Sequence, residues 1–203
     1  MSTAVSVATT VVLESGDVAG TEAFVSALGA TGLVGARATA GESSGFRGFT
    51  LSLVCSQPAD VDALVEAATG AGASVLKAAT KSFWGYGAVV QAPDGTVWKL
   101  AASSKKNTGP AATSFEDLVL LLGVADVKAS RKFYADQGVG TAKSFGVKYA
   151  ELETSGVTVA LYPRKAAAKD AGVPVEGSGS HRVAVRNGLG GFTDPDGFVW
   201  ETA

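Results

Sequence analysis

The chain has 203 residues, of which 46% are hydrophobic and only 18% are charged, and its formal net charge is -2. This length allows one large domain or two of about 100 residues, and the composition is that of a folded, turn-rich protein. The charge excludes electrostatically driven binding to nucleic acid or to an anionic membrane. Because Cys55 is the single cysteine, an internal disulfide and a cysteine-based zinc cluster are also excluded.

The first half of the chain predicts strands that alternate with two helices. Ala4 to Glu14 is strand-like, and Asp17 after it can cap a helix that runs toward Leu28. A second helix is predicted to begin at Pro58, because Pro suits the first helical turn and apolar residues then recur at helical spacing. Further strands are predicted at residues 33–38, 49–54, 74–78, 86–91 and 96–101.

The second half repeats this order after a linker at residues 104–113, which is made of small and polar residues. An apolar run at 118–124 predicts a strand, and Asp126 then caps a helix that ends at Gly138. A hairpin is predicted from 145–153 and 157–162, followed by a polar loop at 163–180. A strand at 181–186 then leads through the glycine-rich residues 187–191 to the last strand, which leaves no room for a helix.

A turn-and-strand phrase occurs twice, at residues 93–99 and 102 residues later at 195–201. Each copy begins Pro-Asp-Gly, which predicts a tight turn. In the strand that follows, side chains alternate between the two faces, so Lys99 and Glu201 occupy equivalent positions. One copy therefore presents a cation where the other presents an anion.

These features, above all Asp126 to Tyr134 and Asp194 to Glu201, resemble the glyoxalase, bleomycin-resistance and extradiol-dioxygenase superfamily, also called vicinal oxygen chelate (VOC) proteins. The resemblance implies an α+β fold of paired βαβββ modules, whose curled mixed β-sheets enclose a cleft. It implies tandem glyoxalase-like domains, residues 1–103 with a shortened first module and residues 114–203 with a last module that lacks its helix.

Enzymes that this chain resembles typically hold a divalent metal through side chains on the first and last strands of their modules. The positions implied here are occupied by Thr10, Phe49, Lys99, Val119, Val183 and Glu201. Of these side chains, only that of Glu201 is a strong metal ligand. His181 is the sole histidine and could join it, but two ligands are too few for a tight site. We therefore expect no bound metal and no other cofactor.

Aromatic side chains are the remaining candidates for a binding site. The expected ligand-binding residues are Phe49, Phe83, Trp84, Tyr86, Lys99, Tyr149 and Tyr162. Aromatic faces in a concave apolar cleft suit flat or hydrophobic ligands. The first hypothesis is therefore a metal-independent small-molecule binding protein, similar to the bleomycin-resistance branch, that binds an apolar or aromatic ligand.

Two alternatives stay open at this point. Glu201, aided by His181, could be the base or a metal ligand of a glyoxalase-like lyase, isomerase or dioxygenase. The chain could instead be a scaffold that binds a protein partner. In each case we expect a cytoplasmic monomer or homodimer with no nucleic-acid or membrane partner, since neither a secretory signal nor a bilayer-length apolar run is present.

Overall fold

The computed structural model describes residues 8–39, 41–83 and 85–203, except for the side chain of Ala8. Trp84 and the start of the predicted strand at Ala4 therefore lie outside the described residues. The described residues form four α-helices and sixteen strands in a mixed α+β arrangement, as predicted. The helices are α1 (Val18–Ala27), α2 (Pro58–Gly70), α3 (Val127–Asp136) and α4 (Arg164–Ala171).

The strands of the first half are β1 (Ala8–Ser15), β2 (Val34–Ala38), β3 (Ser44–Gly45), β4 (Phe49–Cys55), β5 (Ser74–Ser82), β6 (Gly85–Gln91) and β7 (Val97–Ala102). Those of the second half are β8 (Asp117–Val124), β9 (Thr141–Ser144), β10 (Ala150–Leu152), β11 (Ser155–Gly156), β12 (Thr158–Pro163), β13 (Gly177–Ser178), β14 (Val183–Asn187), β15 (Phe192–Thr193) and β16 (Val199–Thr202). A short 3-10 turn, Ser180–Arg182, precedes β14.

Two large open sheets account for most of these strands. Sheet 1 has the order β11-β1-β14-β16-β15, with β2 also paired to β1. Sheet 2 has the order β5-β6-β7-β4-β8-β12-β10-β9, and β3 pairs separately with β13. Each large sheet combines strands from both halves, through the antiparallel pairs β1 with β14 and β4 with β8. Strands on the two sides of residues 104–113 are therefore hydrogen-bonded to each other. The division of the chain into two domains at these residues stays a prediction from the sequence repeat.

Local sequence explains how the first three helices begin. The side chain of Asp17 accepts a hydrogen bond from the backbone N–H of Gly20, and Asp126 accepts from the N–H groups of Lys128 and Ala129. Each cap satisfies N–H groups that have no partner within the helix. Pro58 occupies the first turn of α2, where its missing N–H costs nothing. These predicted helix starts are confirmed.

The two turn-and-strand phrases adopt the same turn. Gly95 and Gly197 have φ values of 88° and 87°, a left-handed conformation that favours glycine. In the first turn the N–H of Gly95 donates to the carbonyl of Ala92 at 2.9 Å, and in the second the N–H of Gly197 donates to Asp194 at 3.0 Å. The predicted turns are therefore confirmed in both copies.

The main hydrophobic core lies against α1, α2 and α3 and includes residues of both large sheets. Phe24 of α1 packs edge-on against the fully buried Trp98 of β7, with ring centroids 5.9 Å apart. Tyr134 of α3 packs similarly near Trp200 of β16, at 5.2 Å. Burial of such large side chains contributes about 2–3 kcal/mol each. The buried side chains of Trp98 and Trp200 therefore anchor β7 and β16 in the core.

Helix α4 lies on the opposite face of sheet 2, where the sequence predicted only a polar loop at 163–180. That prediction is wrong for α4. The helix follows Pro163, which provides no capping side chain, and it forms because Ala167, Ala168 and Ala171 bury an apolar face. Gly123 of β8 permits the close approach, since a Cβ atom there would lie 3.2 Å from the Cα of Arg164. We call this surface the α4 face of sheet 2.

The hairpin predicted from residues 145–153 and 157–162 is shorter than expected. Its first strand, β10, covers only Ala150–Leu152 and pairs with β12. Between β14 and β16 the chain forms the short strand β15. Among the described residues, no helix is both long and apolar enough to cross a membrane.

Candidate functional site

A row of side chains on neighbouring strands of the α4 face forms the floor of a cavity. Ser52 of β4 is in register with Lys99 of β7 on one side and with Val119 of β8 on the other. Paired residues project from the same face of a sheet. The row therefore brings the last residue of the first turn-and-strand phrase beside a hydroxyl and an apolar side chain.

The cavity above this row has a volume of about 240 Å³. Tyr149 and Tyr162 form one wall with their rings edge-to-face, 6.4 Å apart. Asp170 of α4 also lines the cavity, next to the hydroxyl of Tyr162. The complete lining is Ser52, Lys99, Val119, Leu121, Tyr149, Tyr162 and Asp170. The site thus combines two apolar side chains, a hydroxyl, two aromatic rings and one charge of each sign.

Lys99 is the cation of this cavity. Its ammonium lies 3.8 Å from the nearer carboxylate oxygen of Asp170, and 26% of its side chain is exposed. Burial lowers the pKa of Lys99; the positive charge of Lys77 acts in the same direction, and Asp170 opposes both. Among the described residues the ammonium has this one ionic partner and no hydrogen bond.

The two tyrosine hydroxyls stay protonated at neutral pH. Burial raises the pKa of Tyr149, and the hydrogen bond that its hydroxyl donates to Glu151, at 2.9 Å, raises it further. Burial also raises the pKa of Tyr162, with the nearby carboxylate of Asp170 as the second cause. Both rings therefore offer neutral aromatic surface with a polar edge.

Glu201, the equivalent of Lys99 in the second phrase, lies in a network of ion pairs on sheet 1. Arg37 of β2 donates to both carboxylate oxygens of Glu201, at 2.6 and 2.8 Å, and to Glu14 of β1 at 2.7 Å. Arg186 of β14 donates to Glu201 at 3.4 Å. We call the surface formed by Glu14, Arg37, Arg186 and Glu201 the ionic face of sheet 1.

The ionic face holds Glu201 as a carboxylate. Burial alone would raise the pKa of Glu201, but the hydrogen bonds and charges of Arg37 and Arg186 outweigh burial and lower the pKa. The pKa of Arg37 is raised, because its bonds to Glu201 and Glu14 outweigh the effect of its own burial. The charges of this face therefore neutralise one another.

Solved structures with a similar architecture are known. Glyoxalase I from Zea mays aligns with 96% of this chain and 92% of its own, at 18% identity and a TM-score of 0.59. A glutamate-to-glutamine mutant of glyoxalase I from Zea mays aligns at 17% identity and a TM-score of 0.57, over 96% of this chain and 93% of its own. No protein-family model matches the chain, and no curated protein sequence does.

The chain has the glyoxalase (VOC) fold. The resemblance inferred from the turn-and-strand phrases is thereby confirmed at the level of the fold. At these identities the alignments carry no information on activity. A Mn(II)-bound glyoxalase from Novosphingobium aromaticivorans also aligns, over 97% of this chain and 81% of its own at 15% identity, but its TM-score of 0.30 supports no argument.

The residues at the implied ligand positions of this VOC fold do not fit a divalent metal. On sheet 2, Lys99 places an ammonium where a carboxylate is implied, beside Ser52 and Val119. On sheet 1, both oxygens of Glu201 are occupied by Arg37. Within residues 8–39, 41–83 and 85–203, no three His, Cys, Asp or Glu side chains converge. A tight site needs three or four such donors.

Three of the residues predicted to bind a ligand come together in the cavity, namely Lys99, Tyr149 and Tyr162. Phe49 is buried in the main core and borders a different cavity. Tyr86 packs on the helix side of sheet 2 and donates to Asp62 of α2 at 2.7 Å.

The other predicted site residues lie elsewhere. Phe83 is 83% exposed in the turn between β5 and β6, with Lys105 over its ring at 5.9 Å. Trp84 is outside the described residues. His181 lies in the 3-10 turn before β14, with its Nε2 atom next to Gly41. Val183, assigned to a ligand position by resemblance, is completely buried in the main core.

Three residues of these two faces were missed by sequence reasoning. Ser52 has no distinguishing motif, although its register with Lys99 follows once β4 and β7 are paired. Asp170 reaches the cavity only because α4 folds over the sheet. Arg37 meets Glu201 across 164 residues of sequence, a contact for which one sequence contains no signal.

A larger cavity, of about 280 Å³, borders the turn of the first phrase. Its lining includes Arg47, Gln91 and Thr96 together with Phe46 and Val173. These polar groups already bond to the turn: Arg47 donates to the carbonyl of Asp94, and Gln91 donates to the carbonyl of Gly95 at 3.2 Å. The hydrogen bonds of Arg47 and Gln91 therefore stabilise the turn of the first phrase.

Proposed function

We propose that the protein binds a small, flat, mainly apolar molecule in the 240 Å³ cavity of the α4 face, without a metal ion. One observation carries the proposal. Lys99, two tyrosine rings and the apolar Val119 and Leu121 line one cavity, in which the resemblance implies metal ligands at the positions of Lys99 and Val119. The side chains of a binding pocket are therefore present where those of a metal site are not.

The size of the cavity limits the ligand. An apolar cavity of about 150 Å³ is large enough to hold benzene. A volume of about 240 Å³ therefore suits a single ring with one small substituent. The edge-to-face tyrosines supply the aromatic surface that such a ring prefers.

The charge of Lys99 selects the substituent. Its ammonium has only the 3.8 Å contact with Asp170, so it can still donate to a carboxylate or carbonyl oxygen of a ligand. A charge-assisted hydrogen bond in a partly buried site contributes about 1.5–3 kcal/mol. We therefore infer an aromatic ligand that carries a carboxylate or a carbonyl group, with the oxygen toward Lys99.

A catalytic role for Glu201 gains no support from this geometry. A general base near neutral pH needs a raised carboxyl pKa and a free oxygen. Instead the pKa of Glu201 is lowered, and both of its oxygens accept hydrogen bonds from Arg37. His181, its predicted helper, belongs to the 3-10 turn before β14 and not to the ionic face.

The proposal is tested by titrating EDTA-dialysed protein with benzoate and with benzyl alcohol in a calorimeter. We expect saturable binding of benzoate at one site per chain, unchanged by added zinc, nickel or manganese. Replacing Lys99 with Met should weaken benzoate binding about tenfold or more and leave benzyl alcohol binding nearly unchanged.

Two tyrosine variants locate the site. Tyr162→Ala should weaken both probes, because the ring forms a cavity wall. Tyr86→Phe is the matched control, because its hydroxyl bonds to Asp62 on the other side of the sheet. Benzoate binding that requires added metal, or that persists undiminished in Tyr162→Ala, would show that the proposed site is wrong.

A further inference from the structure

Lys99 differs from the other lysines with described partners. Lys77 donates to the carbonyls of Lys169 and Asp170 at 3.0 and 2.7 Å. Lys132 is 77% exposed and pairs with Asp136 at 2.7 Å. The amine of Lys99 is instead largely buried at a cavity wall, with one carboxylate at 3.8 Å and no hydrogen bond among the described residues.

The surroundings of this amine lower its pKa below the ordinary value of a lysine. Burial and the positive charge of Lys77 on β5 lower the pKa of Lys99, against the opposing charge of Asp170 on α4. Tyr162 on β12 and Tyr149 complete the set of titratable groups that line the cavity, and both are neutral near pH 7. A desolvated lysine beside a second cation is a known way to make an amine reactive.

We propose that Lys99 condenses reversibly with the carbonyl group of a small aromatic aldehyde in this cavity, forming a protonated imine. The inference rests on the proposed function for the occupancy of the cavity. It adds a covalent step that noncovalent binding does not require. An aldehyde on a single ring fits the volume, the tyrosine wall and the position of the amine.

The condensation balances without any further reactant. The ammonium of Lys99 first gives a proton to the carboxylate of Asp170, and the freed nitrogen pair attacks the carbonyl carbon. On attack the π bond of the carbonyl breaks, and its oxygen takes up one proton. The remaining C–O single bond then breaks, and the oxygen leaves as water with a second proton, the two protons coming from Asp170 and from the nitrogen of Lys99. The net change joins one ammonium and one aldehyde to give one protonated imine and one water. Hydrolysis reverses it.

The side chains around Lys99 suit this step. Asp170 can hold the transferred proton, since it is the nearest charged group to the amine. The hydroxyl of Tyr162 lies beside Asp170 and can donate to the departing oxygen.

The test uses benzaldehyde and cyanoborohydride, which reduces an imine to a stable benzylamine, followed by peptide mapping of the modified lysines. Lys132 in the same molecule is the internal control for ordinary surface reactivity. At pH 7 we expect Lys99 to be benzylated at least about tenfold faster than Lys132. The ratio should fall as the pH rises, because the lowered pKa of Lys99 favours its reaction only below the ordinary range of lysine titration.

Three further results decide the inference. Benzoate should protect Lys99 and leave Lys132 unaffected, and Asp170→Asn should not slow the benzylation of Lys99 at pH 7, because Asp170 raises the pKa of Lys99. If Lys99 reacts no faster than Lys132 although benzoate binds, the imine inference is wrong and the binding proposal stands. If neither benzoate binding nor preferential benzylation is found, both are wrong.

Discussion

The last residues of the two turn-and-strand phrases have opposite surroundings. Glu201 is bonded by Arg37 through both of its oxygens and by Arg186. Lys99 has one carboxylate at 3.8 Å and faces a cavity. The turns before them are nearly identical in backbone, so the difference arises from the neighbouring strands and from α4.

Under the proposed function, one of these faces serves stability and the other serves binding. The charges of the ionic face satisfy one another, which leaves none of them available to a ligand or a metal. On the α4 face an incompletely paired charge is kept beside an apolar surface, an arrangement that costs stability and suits recognition. The comparison predicts that removing the cation will cost stability on the ionic face and will not cost stability on the α4 face.

The largest effect is expected from Asp194, which connects the second phrase to α3. Its carboxylate accepts from the N–H groups of Asp196 and Phe198 and from the hydroxyl of Tyr134 at 2.6 Å. Asp194→Ala should lower the free energy of unfolding by about 2–4 kcal/mol, because two buried donors and one partly buried donor lose their acceptor. Denaturant titration measures the change.

The exposed Asp136 provides the control for that substitution, since it pairs with Lys132 on the surface of α3. Asp136→Ala should cost about 0.5 kcal/mol or less. A loss below 1 kcal/mol for Asp194→Ala would contradict the account of how this phrase is anchored.

The next effect is expected on the ionic face. Arg37→Met removes the cation between Glu14 and Glu201, which leaves two partly buried carboxylates close together. We expect a loss of about 1–2 kcal/mol in the free energy of unfolding at pH 7 and low salt, and a smaller loss in high salt. A loss that is the same at both salt concentrations would indicate packing rather than charge as the cause.

The same type of substitution on the α4 face should act in the other direction. Lys99→Met removes a partly buried charge and keeps the apolar stem, so we expect stability to be unchanged or to rise by about 1 kcal/mol at pH 7. Thermal and denaturant unfolding measure it. A loss of 1 kcal/mol or more would mean that the ion pair with Asp170 stabilises the fold, against the comparison.

The smallest effect concerns the pH dependence of stability. Because the pKa of Glu201 is lowered in the folded protein, its contribution is complete above the unfolded value of about 4.3 and is lost as the pH falls through the folded value. Glu201→Gln should therefore reduce stability at pH 7 and flatten the decrease in stability between pH 5 and pH 3. An unchanged slope would show that Arg37 does not hold this carboxylate.

Much of the fold could be predicted from local sequence. Asp17 and Asp126 mark helix starts because their side chains cap free N–H groups, and the two Asp-Gly turns need a glycine with positive φ. Alternation in the strand after each turn correctly placed Lys99 and Trp98 on opposite faces. Each of these signals depends on residues only a few positions apart.

The rest depends on contacts between distant residues. The pairing of β1 with β14 and of β4 with β8 follows from burial of whole sheet faces, which no short segment specifies. Helix α4 was missed because its alanines pack on sheet 2 without a capping signal. Tyr86 and Phe83 were assigned to the cleft from their aromatic character, whereas the register of β6 directs Tyr86 toward α2.

The central claim is that the α4 face, and not the ionic face, binds a small molecule without metal. The most direct measurement is benzoate affinity of EDTA-dialysed wild-type protein, Lys99→Met and Arg37→Met. The account predicts that Lys99→Met loses about tenfold or more in affinity and that Arg37→Met retains wild-type affinity. Weakened binding in Arg37→Met with unchanged binding in Lys99→Met would contradict it.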